Sequence, residues 1–269
     1  MRLTGLLDKM FAILCRDLLT AIRYRSGFLI TVAGAAAELA AFYFLSRAIG
    51  PSFRPDGMDY FPFVLVGTGF YTFMVMGINA FLLVVKEAQQ SGTLEILATT
   101  STPAPVLVLL STLSAFAGNT VQLIFYLGAG LLLFGAPLPS PNIAGCALVF
   151  VLSLLIAVAL GIFAAAVQLA IQKGSALVWL LGSGVWFLTG TLFPVATLPR
   201  VLRWVSEVIP LTHSLNAMRM ALLEGANFAA LGREVAILSF FSLILLPFSL
   251  LVFSQTLRRA RLQGTLSYY

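Results

Sequence analysis

The chain has 269 residues, 60% of them hydrophobic and only 10% charged, and its mean hydropathy is +1.00. A soluble domain does not tolerate that much apolar surface, so the composition indicates an integral membrane protein. The 16 Lys+Arg against 10 Asp+Glu leave a formal charge of +6, which basic cytoplasmic flanks explain better than nucleic-acid binding.

Residues 1–27 come first. Leu3, Leu7, Met10, Leu14, Leu18 and Ile22 recur every three or four residues, while Arg2, Lys9, Arg16 and Arg23 recur every seven. A helix drifts only about 20° per heptad, so the cations form one stripe opposite the apolar one. The pattern predicts an amphipathic helix lying in the membrane interface, its cations toward lipid phosphates. The spread of these cations, with no compact apolar core before a small-residue cleavage site, predicts no cleavable signal peptide.

Apolar stretches of about 20 residues, enough to cross a hydrocarbon core of about 30 Å, then predict six spans: 28–49, 60–85, 103–134, 142–171, 174–193 and 234–257. Each is continuously apolar rather than alternating, so the expected fold is all-α and polytopic, with six transmembrane helices, and not a barrel. In the first span, Glu38 lies near mid-membrane among Gly34, Ala36, Ala37, Ala40 and Ala41. An ionisable group at that depth is costly and marks a functional position, while the small neighbours permit close helix approach. Two readings stand: Glu38 faces a dimer seam or translocation path, or it is a protonated carboxyl bonded to a neighbouring helix. The aromatics Phe42, Tyr43, Phe44, Tyr60, Phe61, Phe63, Phe70, Tyr71 and Phe73 are expected as interfacial anchors and lipid-facing packing rather than as a stacking surface for cargo.

The longest polar interruption, KEAQQSGTLEILATTSTPAP at 86–105, separates spans two and three. Gly92 punctuates it, Thr93 to Thr100 read as a short helix with Leu94, Leu97 and Ala98 on one side, and Pro103 and Pro105 open the next span. Such a helix, fixed between two spans, is suited to receiving force from a soluble partner. The stretch 194–233, before the last span, is too apolar for a free loop and is broken by Pro194, Pro199 and Pro210. It predicts short helices re-entering the outer leaflet.

With six spans both termini share a side. That side carries Arg2, Lys9, Arg16, Arg23, Arg25, Lys86, Lys173, Arg258, Arg259 and Arg261; the other carries Arg47, Arg54, Arg200, Arg203, Arg219 and Arg233. The bias places both termini, the 86–102 segment and the turn at Lys173 in the cytoplasm. No phosphate cradle of the Gly-x-x-x-x-Gly-Lys-Ser/Thr type occurs, and no His/Glu or Cys/His cluster has metal-ligand spacing. The expectation is therefore no metal, no catalytic residue and no enzyme. Cys15 and Cys146 are read as unpaired thiols, and the single histidine, His213, as a local hydrogen-bonding residue.

Taken together, Glu87, SGTLEIL at 91–97, the Ser-Thr-Pro at 101–103, RDLLTAIRYR at 16–25, LFPVATLP and PLTHSLNAMRMALLEG resemble the membrane subunit of a type-two ATP-binding-cassette exporter. The resemblance covers nearly all of residues 1–269 as one permease domain, in the family's order. It implies a coupling segment at 86–102, in which Glu87, Gly92, Thr93, Leu94, Glu95 and Leu97 meet the ATPase, and an elbow helix at the start. It also implies two separate ATPase subunits, which would bind the ATP and Mg, and a second permease copy, as a homodimer or with a sister chain. Spans one and five would line that dimer interface. Family members often carry acidic residues just before the Gly, where this chain has Gln89, Gln90 and Ser91. The expected role is export of a hydrophobic or amphiphilic molecule, drug, polyketide or lipid-like, across the inner or plasma membrane of a bacterium or archaeon. The alternatives are polysaccharide or glycolipid export within the same class, or a membrane-assembly protein without transport.

Overall fold

A computed structural model of the chain describes residues 25–90, 104–136, 141–171 and 174–263. Every regular element among them is helical. The helices are α1 (Arg25–Ile49), α2 (Tyr60–Gln90), α3 (Ala104–Phe134), α4 (Ile143–Ile171), α5 (Gly174–Trp179), α6 (Val185–Leu188), α7 (Arg200–Val208), α8 (Pro210–Leu222) and α9 (Phe228–Gln263), with a π turn, Leu180–Gly184, joining α5 to α6. Short 3-10 turns at Pro55–Gly57 and Val195–Thr197 complete the set.

Side-chain pairs fix how the long helices run. Gly130 of α3 meets Leu65 of α2, Gly69 meets Tyr126 and Leu123, and Gly77 meets Phe116. As one number rises the other falls, so α2 and α3 are antiparallel. Phe70 lies against Phe150, Phe81 against Gly161 and Gln89 against Gln168. Here the separation holds at 79–80 residues, so α2 and α4 run parallel. Gly145 beside Leu231 and Phe163 beside Phe248 make α4 and α9 parallel as well. The end bearing 50–59, 141–142 and 189–227 is the distal end, and the end at which α2 reaches Gln90 is the proximal one.

α4 packs between α2 and α9, and α2 between α4 and α3; α1 lies on α2 and α3, α5 on α4 and α2, and α8 crosses the distal ends of α2, α4 and α9. The inner faces explain the order. α4 presents Ala157, Gly161, Ala164, Ala165 and Ala166, all buried, and small residues let neighbouring backbones approach where lipid supplies no hydrophobic drive. α2 supplies the bulk that fills those spaces: Phe63, Phe70, Met74, Ile78 and Phe81 are all 1% exposed or less.

Among the described residues, five helices are long and apolar enough to cross a membrane: Leu29–Ile49, Tyr60–Gln90, Phe116–Phe134, Ile143–Ile171 and Phe228–Ala260. Within the expected fifth span at 174–193, the described helical run passes from Gly174 through the π turn and ends at Leu188. The run gives way to Gly190 at φ +74, a left-handed conformation that ends helices at glycine. α2 and α9 instead extend beyond the expected 60–85 and 234–257. The expected interfacial helix at 1–27 lies outside the described residues up to position 24, and α1 is helical from Arg25.

The aromatics of α2 are not lipid-facing. Tyr60, Phe61, Phe63, Phe70, Tyr71 and Phe73 are buried, and Phe44 is exposed. α1, α3, α4 and α8 all pack on α2, so aromatics on every side of this helix are covered, which a reading from local composition does not reveal.

Candidate functional site

The proximal end is built from the last turn of α2. Val85, Ala88 and Gln89 are buried, whereas Glu87 and Gln90 are exposed. Gln89 Oε1 accepts a hydrogen bond from Gln168 Nε2 of α4 at 3.4 Å. Gln89 therefore points into the bundle, and Glu87 points out of it. Gly92, Thr93, Leu94, Glu95 and Leu97 lie outside the described residues. The helices on either side, α2 and α3, pack on each other from Gly77 beside Phe116 to Leu65 beside Gly130.

α1 carries Glu38. Among the residues of α1 from Leu29 onward only Leu39 is buried, and Gly34, Ala36, Ala37, Glu38 and Ala41 are exposed. Tyr126 of α3 is the described residue on which the Glu38 charge acts, but its hydroxyl makes no hydrogen bond among the described residues. An exposed carboxylate in the middle of a span costs about 3 kcal/mol in lipid on insertion scales.

The distal end holds the densest polar network. Arg219 of α8 is 4% exposed. Its Nε donates to Phe63 O at 3.1 Å, Nη1 to Gly190 O at 2.8 Å and Nη2 to Thr191 O at 2.9 Å. Its guanidinium carbon sits 3.5 Å from the centre of the Phe63 ring. Gly190 and Thr191 follow the C-terminus of α6, where the helix dipole is negative, so carbonyl oxygens and dipole together compensate a buried cation that has no carboxylate bonded to it among the described residues. Gly67 makes room: a methyl there would collide with Arg219 Nη2 and Thr191 O.

Two asparagines tie the same end. Asn142 Oδ1 accepts from Gly145 N at 2.9 Å, capping α4, while its Nδ2 reaches Ala226 O at 2.8 Å and its backbone N–H reaches Ala221 O at 2.9 Å. Asn227 caps α9 through Ala230 N at 2.9 Å. Both are helix N-caps of the favoured type. Ser206 of α7 donates to Leu188 O at the end of α6.

His213 bridges three helices. Its Nδ1 is 2.7 Å from Glu234 Oε2 of α9 and its Nε2 is 2.9 Å from the backbone oxygen of Glu207 in α7; Asn216 Nδ2 donates to Glu234 Oε1 at 3.3 Å. The hydrogen bond to Glu234 holds the imidazole pKa above its ordinary value, aided by the Glu207 carbonyl and opposed by burial and by Arg233.

Of these residues, sequence reading singled out Glu38 and Glu87 but missed Arg219, Gln89–Gln168 and the His213–Glu234 pair as partners. No group of three or more His, Cys, Asp or Glu residues could hold a metal among the described residues, and Cys146 is a free thiol.

Fold and site together define a polytopic, all-helical membrane domain. Residues 8–223 match the family model of the ABC-2 type transporter. That match spans well over half of the chain, which belongs to this family: it is an ABC transporter permease, of a kind that normally works with an ATPase subunit. No curated protein matches it.

Proposed function

We propose that the chain is the permease of an exporter that moves a hydrophobic or amphiphilic molecule, drug, polyketide or lipid-like, out of the cytoplasm or the inner leaflet. Two copies pair, and two separate ATPase subunits bind ATP and Mg and act on the proximal end at 86–102. The observation that carries this reading is the division of the last turn of α2, where Gln89 is locked to α4 and Glu87 faces outward immediately before the GTLE segment. A push on Gly92, Thr93, Leu94, Glu95 and Leu97 passes directly into α2 and, through Gln168, into α4.

The exposed carboxylate of Glu38 supports pairing through α1. An unpaired charge facing lipid is expensive, and a seam or a hydrated path between copies relieves the cost. The cytoplasmic placement of both termini gains support from Arg219. Its guanidinium is consumed by backbone carbonyls, so it does not count as a free distal loop charge, and the proximal excess of Lys and Arg widens. The short helices α7 and α8 and the 194–233 region around them form the outer, re-entrant element.

The test is purification of the full chain in mild detergent from its native host, beside a Glu95→Arg, Leu94→Asp variant. A soluble ATPase should accompany the parent in near-equal amount and be lost from the variant, with both giving the same monodisperse elution. Retention of the ATPase by the folded variant would sink the assignment of 86–102 as the coupling segment.

A further inference from the structure

His213 presents both ring nitrogens to oxygens. Glu234 Oε2 lies 2.7 Å from Nδ1, and the Glu207 backbone oxygen lies 2.9 Å from Nε2. A carbonyl oxygen only accepts, and an ionised carboxylate only accepts. Both contacts are hydrogen bonds together only when both nitrogens carry protons, which is the imidazolium form. A neutral ring bonds one side and turns a lone pair on the other. The carboxylate is the stronger acceptor, so the neutral ring keeps Nδ1–H on Glu234 and loses the Glu207 carbonyl.

We propose that His213 is a proton-binding site which, when occupied, fastens α7 to α8 and α9, and which releases α7 alone when the proton leaves. The local backbone suits such a release. α7 and α8 meet at Ile209, whose φ of −83° and ψ of 116° are extended, followed by Pro210, so one non-helical residue joins the two helices, and the Ser206 bond to Leu188 O is a contact of α7 that does not depend on the proton. Glu207 is two residues from that joint. The groups acting on the ring are Glu234 and Arg233 of α9 and Glu207 of α7. α8 adds the neutral Asn216, bonded to Glu234, and α2 and α4, which also pack on α8, bring no described ionisable group that acts on it. The Phe241 ring lies 6.3 Å from the imidazole, and the His213 side chain keeps 13% exposure, enough for proton exchange with the distal solution.

Because the folded imidazole is held above its ordinary value, the fastening is complete below the unfolded pKa of about 6.5. It is lost as pH rises through the folded value. His213 is the single histidine of the chain, so 15N-histidine labelling of the full protein reports on it without substitution. The expected result is one ring with both nitrogens protonated at pH 6.5, titrating with an upward-shifted midpoint, and loss of that shift in Glu234→Gln. Amide exchange over 200–208, corrected for intrinsic rate, should accelerate several-fold above the midpoint in the parent, while exchange over 214–222 stays constant. A neutral single tautomer at pH 6.5 in the parent overturns the proposal. So does exchange over 200–208 that does not change across the titration.

Discussion

Gly67 has no side chain because an arginine occupies the space. A methyl at this position meets Arg219 Nη2 and Thr191 O, and overpacking of this kind costs about 1–3 kcal/mol. Gly67→Ala should therefore lower the thermal midpoint of the purified chain in detergent. In an Arg219→Ala background the same change should cost less, because the guanidinium has vacated the site; coupling above about 0.5 kcal/mol is the expected signature of contact. Equal losses in both backgrounds would place the conflict with the backbone alone. None of this was legible beforehand. Arg219 looked like a loop charge because its acceptors are the carbonyls of Phe63, Gly190 and Thr191, groups every residue carries. His213 was readable as a hydrogen-bonding residue, but Glu234 lies 21 positions away and stood at the expected edge of the last span.

Among the elements, the run from α5 to α6 is the most irregular. LLGSG forms a π turn at Leu180–Gly184, and such insertions often sit where a helix changes shape in function. Among the described side chains, a Cβ at Gly182 would meet only Val75 Cγ1, at 3.8 Å, ordinary van der Waals distance. Gly182→Ala should consequently stabilise the run by up to about 1 kcal/mol. If this element bends during the transport cycle, the same variant should turn over cargo-stimulated ATP more slowly despite its higher thermal midpoint. Unchanged turnover would mark the π turn as passive. The existence of α1 to α4 and α9 was plain from continuous apolar length, which needs no tertiary information. The stop at Leu188 was not, since apolar character runs on through Leu192 and Phe193 while the left-handed Gly190 breaks the helix from within.

At the scale of the molecule, α2, α4 and α9 form a parallel slab backed by α3, whereas α1 is held by few neighbours and shows most of its surface. A span that exposes Gly34, Ala37, Glu38 and Ala41 on one side has the small-residue face that close helix pairing uses. Ala41→Cys, in a chain whose Cys15 and Cys146 are replaced by Ser, should give a band of doubled mass on mild oxidation in native membranes. Failure at Ala41 and at a matching Gly34→Cys would remove α1 from the seam. The composition disclosed the membrane and the order of motifs disclosed the family. The antiparallel and parallel pairings came only from contacts such as Phe81 on Gly161, because a stretch apolar on all sides hides which face turns inward.

The distal network also bears on how this sequence can change over time. The side chains in it that donate to main-chain oxygens are specific: Arg219, Asn142, Ser206 and His213. Most of its acceptors are main-chain oxygens at Phe63, Leu188, Gly190, Thr191, Glu207 and Ala226. A substitution at a donor deletes the bond, whereas one at Thr191 or Ala226 leaves the oxygen where it was. Saturation mutagenesis of this end should therefore return a lopsided map, with four intolerant donors facing acceptor positions that drift freely wherever packing and backbone angle allow.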